Sequence, residues 1–290
     1  MESKKYTAAR FSVFIGMEDW HSIMHIIKPL IIVDNSEKFV IYLSTTRGEC
    51  INFTYLFSEL DADQQHRLHA IIEHIESFLM RYDSESTHDL INNNDEIFKD
   101  FPSRMIYYNI HDNTLKNFNR EENDLYLQEI KEVLTHFSLD TLLTEEVSYP
   151  SLLYWTVCYL GVIANSIHIS QEILEHIRKL DIAHHGDSNL LSTSLIEEYI
   201  ELVVESQEAT RRPHHFATLE SALKKISIQL HAHKEESRDI LHIAFDLLTH
   251  IENHLGIDMA NILRIMECWN LRKAKQPEKC RGTVLFGHTF

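Results

Sequence analysis

Apolar positions along this chain follow two different periods, and the change of period divides the sequence. In the first part, KFVIYLST and ECINFTYLF are short runs rich in β-branched and aromatic residues, separated by a TRG turn, and they predict a β-hairpin. From Pro150 onward, apolar residues recur at helical spacing through one segment after another. We therefore expect a mainly α protein: a C-terminal all-α helical bundle with a small α+β N-terminal unit.

Prolines and polar segments indicate where the elements of these two parts begin and end. EDWHSIMHIIKPLI predicts a helix that is interrupted or ends near Pro29, and a second helix is predicted after the hairpin, over DADQQHRLHAIIEHIESFLMRY. The stretch from Asp83 to about Arg120 is rich in Asn and Asp, which is typical of a linker or irregular segment. We expect a small α+β domain plus polar linker over 1–120 and the bundle over 121–290.

Breaks in the apolar pattern divide the bundle into helices. A short helix is predicted before the SYP break, and the longer ones are predicted at 151–180, 190–211, 216–232, 234–255 and 258–275. Between the last two, Gly256 is expected to take the left-handed conformation that ends a helix.

The composition of the chain excludes several classes of function. A formal net charge of −17 argues against nucleic acid as a partner, and none of the seven glycines stands in a GxGxxG or GxxxxGK[ST] arrangement. Four scattered cysteines without a CxxC indicate a reducing compartment. The longest nearly apolar run, Leu152 to Ala164, is too short to span a bilayer. The expected location is cytoplasmic, with no membrane contact.

Two acidic motifs carry the candidate chemistry. LIEEYIELVVESQE places Glu198 and Glu201 three residues apart on a predicted helix, and EESRDILHIAFDLL does the same with Glu236 and Asp239. Helical neighbours at this spacing share a face, so two packed helices would bring four carboxylates together. Such a group repels itself unless a cation is present, and oxygen ligands suit Mg²⁺ or Mn²⁺.

A simpler interpretation of the same glutamates stays open. A helix with glutamates along one side and apolar residues along the other is also what an amphipathic surface helix looks like. Ser194-x-x-Glu197 has the pattern of a capping box, in which both side chains bind main-chain N–H groups at a helix start. Histidine pairs such as His231/His233 lie in or beside predicted loops and are interpreted as solvated.

Three motifs follow one another along the chain: EExxE (Glu197, Glu198, Glu201), ExxD (Glu236, Asp239) and a Gly-Ile-Asp helix. In this order they resemble the all-α nucleoside triphosphate pyrophosphohydrolases. That superfamily includes MazG-like proteins, dimeric dUTPases and dCTP pyrophosphatases. The resemblance covers about residues 190–277. It implies a hydrolase that releases pyrophosphate and a nucleoside monophosphate, works as a homodimer, and binds Mg²⁺ (or Mn²⁺) through five carboxylates: Glu197, Glu198, Glu201, Glu236 and Asp239. It also implies that Asn270, Lys273 and Lys275 bind the nucleoside triphosphate. The alternative is a non-catalytic helical interaction or regulatory protein with a degenerate acidic site.

Overall fold

A computed structural model describes the backbone of residues 6–31, 38–44, 49–57, 62–81, 105–113, 133–136, 138–139, 142, 147–167, 169–182, 190–209, 218–225 and 237–275. The chain forms two compact units. The sheet unit comprises Met1–Asp124 and Leu134–Ser148, and the helical unit comprises Leu125–Val133 and Tyr149–Phe290. The predicted boundary after residue 120 lies outside the described residues.

The sheet unit contains a four-stranded antiparallel sheet in the order β2-β3-β1-β4. Its strands are β1 (Tyr6–Phe14), β2 (Lys38–Ser44), β3 (Cys50–Phe57) and β4 (Met105–Asn113). Along β1, Phe11 and Val13 are buried while Arg10 is exposed, as alternation in a strand with one covered face requires. The predicted hairpin is confirmed, because β2 and β3 pair antiparallel over their whole length.

Two helices supply the apolar side chains that complete the core of this unit. A 3₁₀ turn (Met17–Asp19) leads into α1 (Trp20–Ile31), and α2 (Ala62–Arg81) follows β3. Trp20 is fully buried and donates its indole N–H to the carbonyl of Ile15 at 3.0 Å. The helix α1 includes Pro29, which does not interrupt it, and it is described as far as Ile31, so the predicted end near Pro29 stays a prediction.

One sequence prediction about this unit is wrong. The segment 83–120, expected to be a linker or irregular, contains β4, which pairs with β1 from Tyr6↔Asn113 to Phe14↔Met105. The strand is stabilised by main-chain pairing along β1, which composition does not reveal. Its exposed Tyr107 and Tyr108 break the alternation of buried and exposed positions that identifies a strand in a sequence.

Described residues of the helical unit are helices and their connections. The helices are α3 (Tyr149–Ser166), α4 (Gln171–Ile182), α5 (Thr193–Ala209), α6 (Ser237–Leu255) and α7 (Met259–Lys275), and residues 218–225 are also helical. The central helix is α3, which is buried from Thr156 to Ala164 and packs against α5, α6 and α7. A mostly helical chain with a small sheet at its N-terminal end confirms the predicted fold class.

The helix predicted over 151–180 is two helices. The chain leaves α3 after Ser166, and Ser170 starts α4 by accepting a hydrogen bond from the N–H of Ile173 at 3.4 Å. The sequence there, IHIS, contains neither glycine nor proline, and Ser170 is its one residue typical of a helix start. The break predicted at Gly256 is confirmed, since this residue has a φ of 70° between α6 and α7.

Among the described helices, none combines the length and the apolar character needed to cross a membrane.

Candidate functional site

The helix that carries the first acidic motif begins at a different serine from the one predicted. Its first residue is Thr193, and Ser192 accepts the hydrogen bond from the N–H of Leu195 at 3.2 Å. Ser192 is therefore the N-cap of α5, and the proposed capping box of Ser194 and Glu197 is wrong. Sequence favoured Ser194 because a glutamate follows it at the right spacing, whereas Ser192 has a leucine there.

The glutamates of this motif lie on the exposed side of α5. Glu197, Glu198 and Glu201 are all exposed, while Ile196 and Ile200 are buried against the bundle. The carboxylate of Glu201 forms a two-pronged ion pair with the guanidinium of Arg272 on α7, in which the longer contact is 3.3 Å. The charge of Glu201 is thus balanced by an arginine within the same unit.

The second acidic motif is described only in part. Glu236 lies outside the described residues, and Asp239 lies in the first turn of α6 with its backbone alone described. Within the described part of the chain, no cluster of three or more His, Cys, Asp or Glu side chains is arranged to hold a metal ion. The five-carboxylate site and its Mg²⁺ or Mn²⁺ stay predictions.

Two of the three residues expected to bind substrate contact the main chain instead. Asn270 donates from its amide nitrogen to the carbonyl of Ile169 at 3.0 Å, and the ammonium of Lys273 donates to the carbonyl of Ala164. Both carbonyls belong to the end of α3 or to the connection that follows it, where helical partners are missing. Lys275 is exposed at the end of α7.

The Gly-Ile-Asp sequence is a helix connection held by buried polar groups. Asp258 is the N-cap of α7 and accepts from the N–H of Asn261 at 2.9 Å and from its side-chain amide at 2.7 Å. Asn261 is fully buried, and its oxygen accepts from the N–H of Leu191 at 2.8 Å. The turn therefore joins α6 to α7 and also fixes the chain just before α5.

Two pairs of hydroxyl-bearing side chains on α3 and α5 form a candidate site: Tyr154 and Ser206 are hydrogen-bonded, and Tyr199 lies near enough to Tyr149 to raise its pKa. We call Tyr149, Tyr154, Tyr199 and Ser206 the hydroxyl cluster. Ser206 donates to the carbonyl of Val203 at 3.0 Å, so the 2.8 Å contact between Tyr154 Oη and Ser206 Oγ has the tyrosine as donor. Tyr149 is exposed and the other three side chains are half-buried, which leaves all four within reach of a small molecule.

Burial favours the protonated form of two tyrosines in this cluster, Tyr149 and Tyr154. Burial, and then the negative charge of Asp258 and the neighbouring Tyr199, raise the pKa of Tyr149 to about 12. Burial also raises the pKa of Tyr154. Both phenols are neutral hydrogen-bond donors at physiological pH.

The cysteines in the described residues are not activated nucleophiles. Burial raises the pKa of Cys158 to about 12 and that of Cys50 to about 11, and it raises the pKa of Cys268 together with the nearby Glu197 and Glu267. A thiol that keeps its proton is a poor nucleophile.

Sequence analysis did not assign the hydroxyl cluster because its members are far apart in the chain. Tyr149 and Tyr154 stand in the apolar stretch that reads as a core helix, and the cluster forms only where α3 packs against α5. Isolated tyrosines and serines carry no spacing that indicates a site.

Comparison with known protein families gives no match, and neither does comparison with curated proteins. Among solved structures, the fold is similar to "Pyridine synthase, TbtD, from thiomuracin biosynthesis", with a TM-score of 0.51 and 13% sequence identity. The match covers 93% of this chain and 98% of that one. It shows a shared fold that includes both units.

This fold match overturns the pyrophosphohydrolase assignment. The predicted membership, the hydrolase and MazG-like description and the release of pyrophosphate from a nucleoside triphosphate are wrong. The resemblance rested on segments that have structural explanations here: the Gly-Ile-Asp turn caps α7, and Asn270 and Lys273 bind main-chain carbonyls. The homodimer, which rested on the same resemblance, stays a prediction.

Proposed function

We propose that the chain is a biosynthetic enzyme that closes a nitrogen-containing ring, as its structural neighbour is a pyridine synthase. The observation that carries this proposal is the extent of the fold match, which includes nearly all of both proteins and both units of this chain. A similarity confined to a few packed helices would be a common bundle and would support much less.

The hydroxyl cluster has the chemistry that such a reaction needs. Forming an unsaturated nitrogen ring moves protons and places electron density on nitrogen or oxygen atoms of the precursor. A neutral phenol held in place donates a hydrogen bond to the atom that gains this density, and so lowers the barrier. Tyr149 and Tyr154 are neutral phenols, and Tyr154 is held by its hydrogen bond with Ser206.

The acidic surface around the cluster favours a neutral or cationic substrate. Glu198 and Glu205 are exposed on α5, the helix that also carries Tyr199 and Ser206. The net charge of −17 extends this preference to the molecule as a whole. A cytoplasmic location is part of the proposal, supported by three buried free thiols in the described residues.

The test is a comparison of metabolites made by the native host with and without the chain. We expect a host that lacks it to accumulate an acyclic or partly cyclised precursor. We expect the wild-type chain to restore a product with the ultraviolet absorbance of an aromatic nitrogen ring, detected by liquid chromatography and mass spectrometry. Identical metabolite profiles with and without the chain would overturn the proposal and leave a non-catalytic interaction protein.

Single substitutions test whether the hydroxyl cluster takes part in the reaction. Tyr149→Phe and Tyr154→Phe each remove one hydroxyl group, and we expect each to reduce product formation about tenfold to a thousandfold. Tyr108→Phe is the matched control, because Tyr108 is an exposed phenol on β4 in the other unit. If both cluster variants restore the product as well as Tyr108→Phe does, the reaction uses other residues.

A further inference from the structure

Two histidines on α1 place their imidazole nitrogens in contact. His21 and His25 are one helical turn apart, and their Nε2 atoms are 3.1 Å from each other. Their ring centroids are 4.5 Å apart. His21 is half-buried and His25 is exposed, so this pair lies at the surface of the sheet unit.

The orientation of the His21 ring is fixed by a contact of its other nitrogen, Nδ1. Its Nδ1 lies 2.8 Å from the carbonyl oxygen of Leu142, a residue 121 positions further along the chain. A carbonyl only accepts, so Nδ1 carries the hydrogen and Nε2 presents its lone pair toward His25. An imidazole that donates one N–H to a backbone carbonyl and offers its other nitrogen has the arrangement of a metal-ligating histidine.

The spacing of the two nitrogens fits two ligands of one metal ion. Metal–nitrogen bonds of 2.0–2.1 Å place two ligand nitrogens about 2.9 Å apart at a right angle and about 3.3 Å apart in a tetrahedron. The observed 3.1 Å lies between these values. A cation bound by both Nε2 atoms lies to one side of the line that joins them, so binding requires the rings to tilt toward it and His25 to carry its hydrogen on Nδ1.

We propose that His21 and His25 form a two-histidine site for a late first-row divalent ion, Zn²⁺ or Cu²⁺, with water in the remaining positions. Imidazole nitrogen suits these ions and is a poor ligand for Mg²⁺. The site lies in the sheet unit and is independent of the hydroxyl cluster and of the acidic motifs, all of which lie in the helical unit. It therefore does not depend on the proposed ring-forming activity.

The test is calorimetric titration of the full-length, tag-free protein, stripped with a chelator, with Zn²⁺, Cu²⁺ and Mg²⁺ in turn. We expect saturable binding of Cu²⁺ and Zn²⁺, tighter for Cu²⁺, and no Mg²⁺ binding that depends on His21 or His25. His21→Gln and His25→Gln should each weaken the binding at this site tenfold or more. His74→Gln is the matched control, because His74 also faces a helix carbonyl, that of Ala70 at 2.6 Å, without a histidine partner of this kind in the described residues.

Other histidines among the 20 in the chain also bind late transition metals, so the comparison between variants decides the result. Loss of one binding event in both pair variants, with His74→Gln unchanged and all circular dichroism spectra native, establishes the site. Paramagnetic resonance of the Cu²⁺ complex should then show coupling to two imidazole nitrogens. Titrations of His21→Gln and His25→Gln that match the wild type would overturn the proposal.

Discussion

The indole N–H of Trp269 on α7 donates a hydrogen bond of 3.1 Å to the carbonyl of Val157, which lies inside α3. Trp269 is 1% exposed and Val157 is fully buried, so the contact joins two helices in the dry centre of the bundle. It requires the two helices to approach closely, and Gly161 provides the space, because a Cβ atom there would lie 2.7 Å from Cζ2 of the indole. The tryptophan and the glycine together set the distance between α3 and α7.

Gly161→Ala should therefore destabilise the protein although alanine is the better helix former. The added methyl group overlaps a rigid ring that has no room to move, and we expect the free energy of unfolding to fall by about 1–3 kcal/mol in chemical denaturation. Gly16→Ala is the control, because its Cβ would meet only the flexible carboxylate end of Glu18. Equal losses in the two variants would contradict the packing argument.

Asn261 should be the most sensitive polar residue in the helical unit. Its buried side chain joins the cap of α7 to the N–H of Leu191, and Asn261→Ala removes both contacts and leaves a cavity. We expect a loss of about 2–4 kcal/mol in the free energy of unfolding.

The neighbouring cap residue provides a conservative comparison for this prediction. Asp258→Asn keeps one oxygen to accept the N–H of Asn261 but loses the hydrogen bond from the Asn261 side-chain amide, so its cost should be about 1–2 kcal/mol, less than that of Asn261→Ala. If Asn261→Ala and Asp258→Asn cost the same, the network does not have the role assigned to it.

The sequence predicted the parts of the fold that repeat along the chain. Most helices of the bundle, the hairpin of β2 and β3, and the left-handed Gly256 follow from local periodicity and turn chemistry. It did not predict β4, which depends on pairing with β1 almost a hundred residues away, or the break between α3 and α4, which the Asn270 side chain stabilises from α7. Both errors concern contacts between distant residues.

The candidate site was harder to predict than the fold for the same reason. Carboxylates at i and i+3 form a visible pattern, but on α5 they lie on the exposed side, and Glu201 pairs with Arg272. The hydroxyl cluster has no pattern within any one helix. Its members come together only through the packing of α3 on α5.

Lys273 and Lys275 should differ sharply although they lie two residues apart in the same helix. Lys273→Met removes the donor to the Ala164 carbonyl, and we expect a loss of about 1–3 kcal/mol in the free energy of unfolding. Lys275 is exposed at the helix end, so Lys275→Met should change this quantity by less than about 0.5 kcal/mol. Equal and small effects of both substitutions would show that Lys273 does not stabilise the end of α3.

Buried thiols and phenols should make the stability fall as the pH rises above neutrality. In the unfolded chain Cys158 ionises near its ordinary pKa of 9.0, whereas burial raises its pKa in the folded protein to about 12. The folded state then binds more protons than the unfolded state between these values. Its stability is fully present below pH 9 and declines toward pH 12, by up to about 1.4 kcal/mol per pH unit for one such group.

Cys158→Ala removes this contribution, together with the smaller effect of Cys158 on the raised pKa values of Tyr154 and Tyr159. Urea denaturation of the wild type and the variant between about pH 8 and about pH 11 measures the slope of stability against pH. Tyr149 and Cys50, whose pKa values are also raised, remain in both proteins and contribute equally to the two slopes. We expect the variant to have the shallower slope, and identical slopes would mean that the Cys158 thiol ionises as easily in the folded protein as in the unfolded chain.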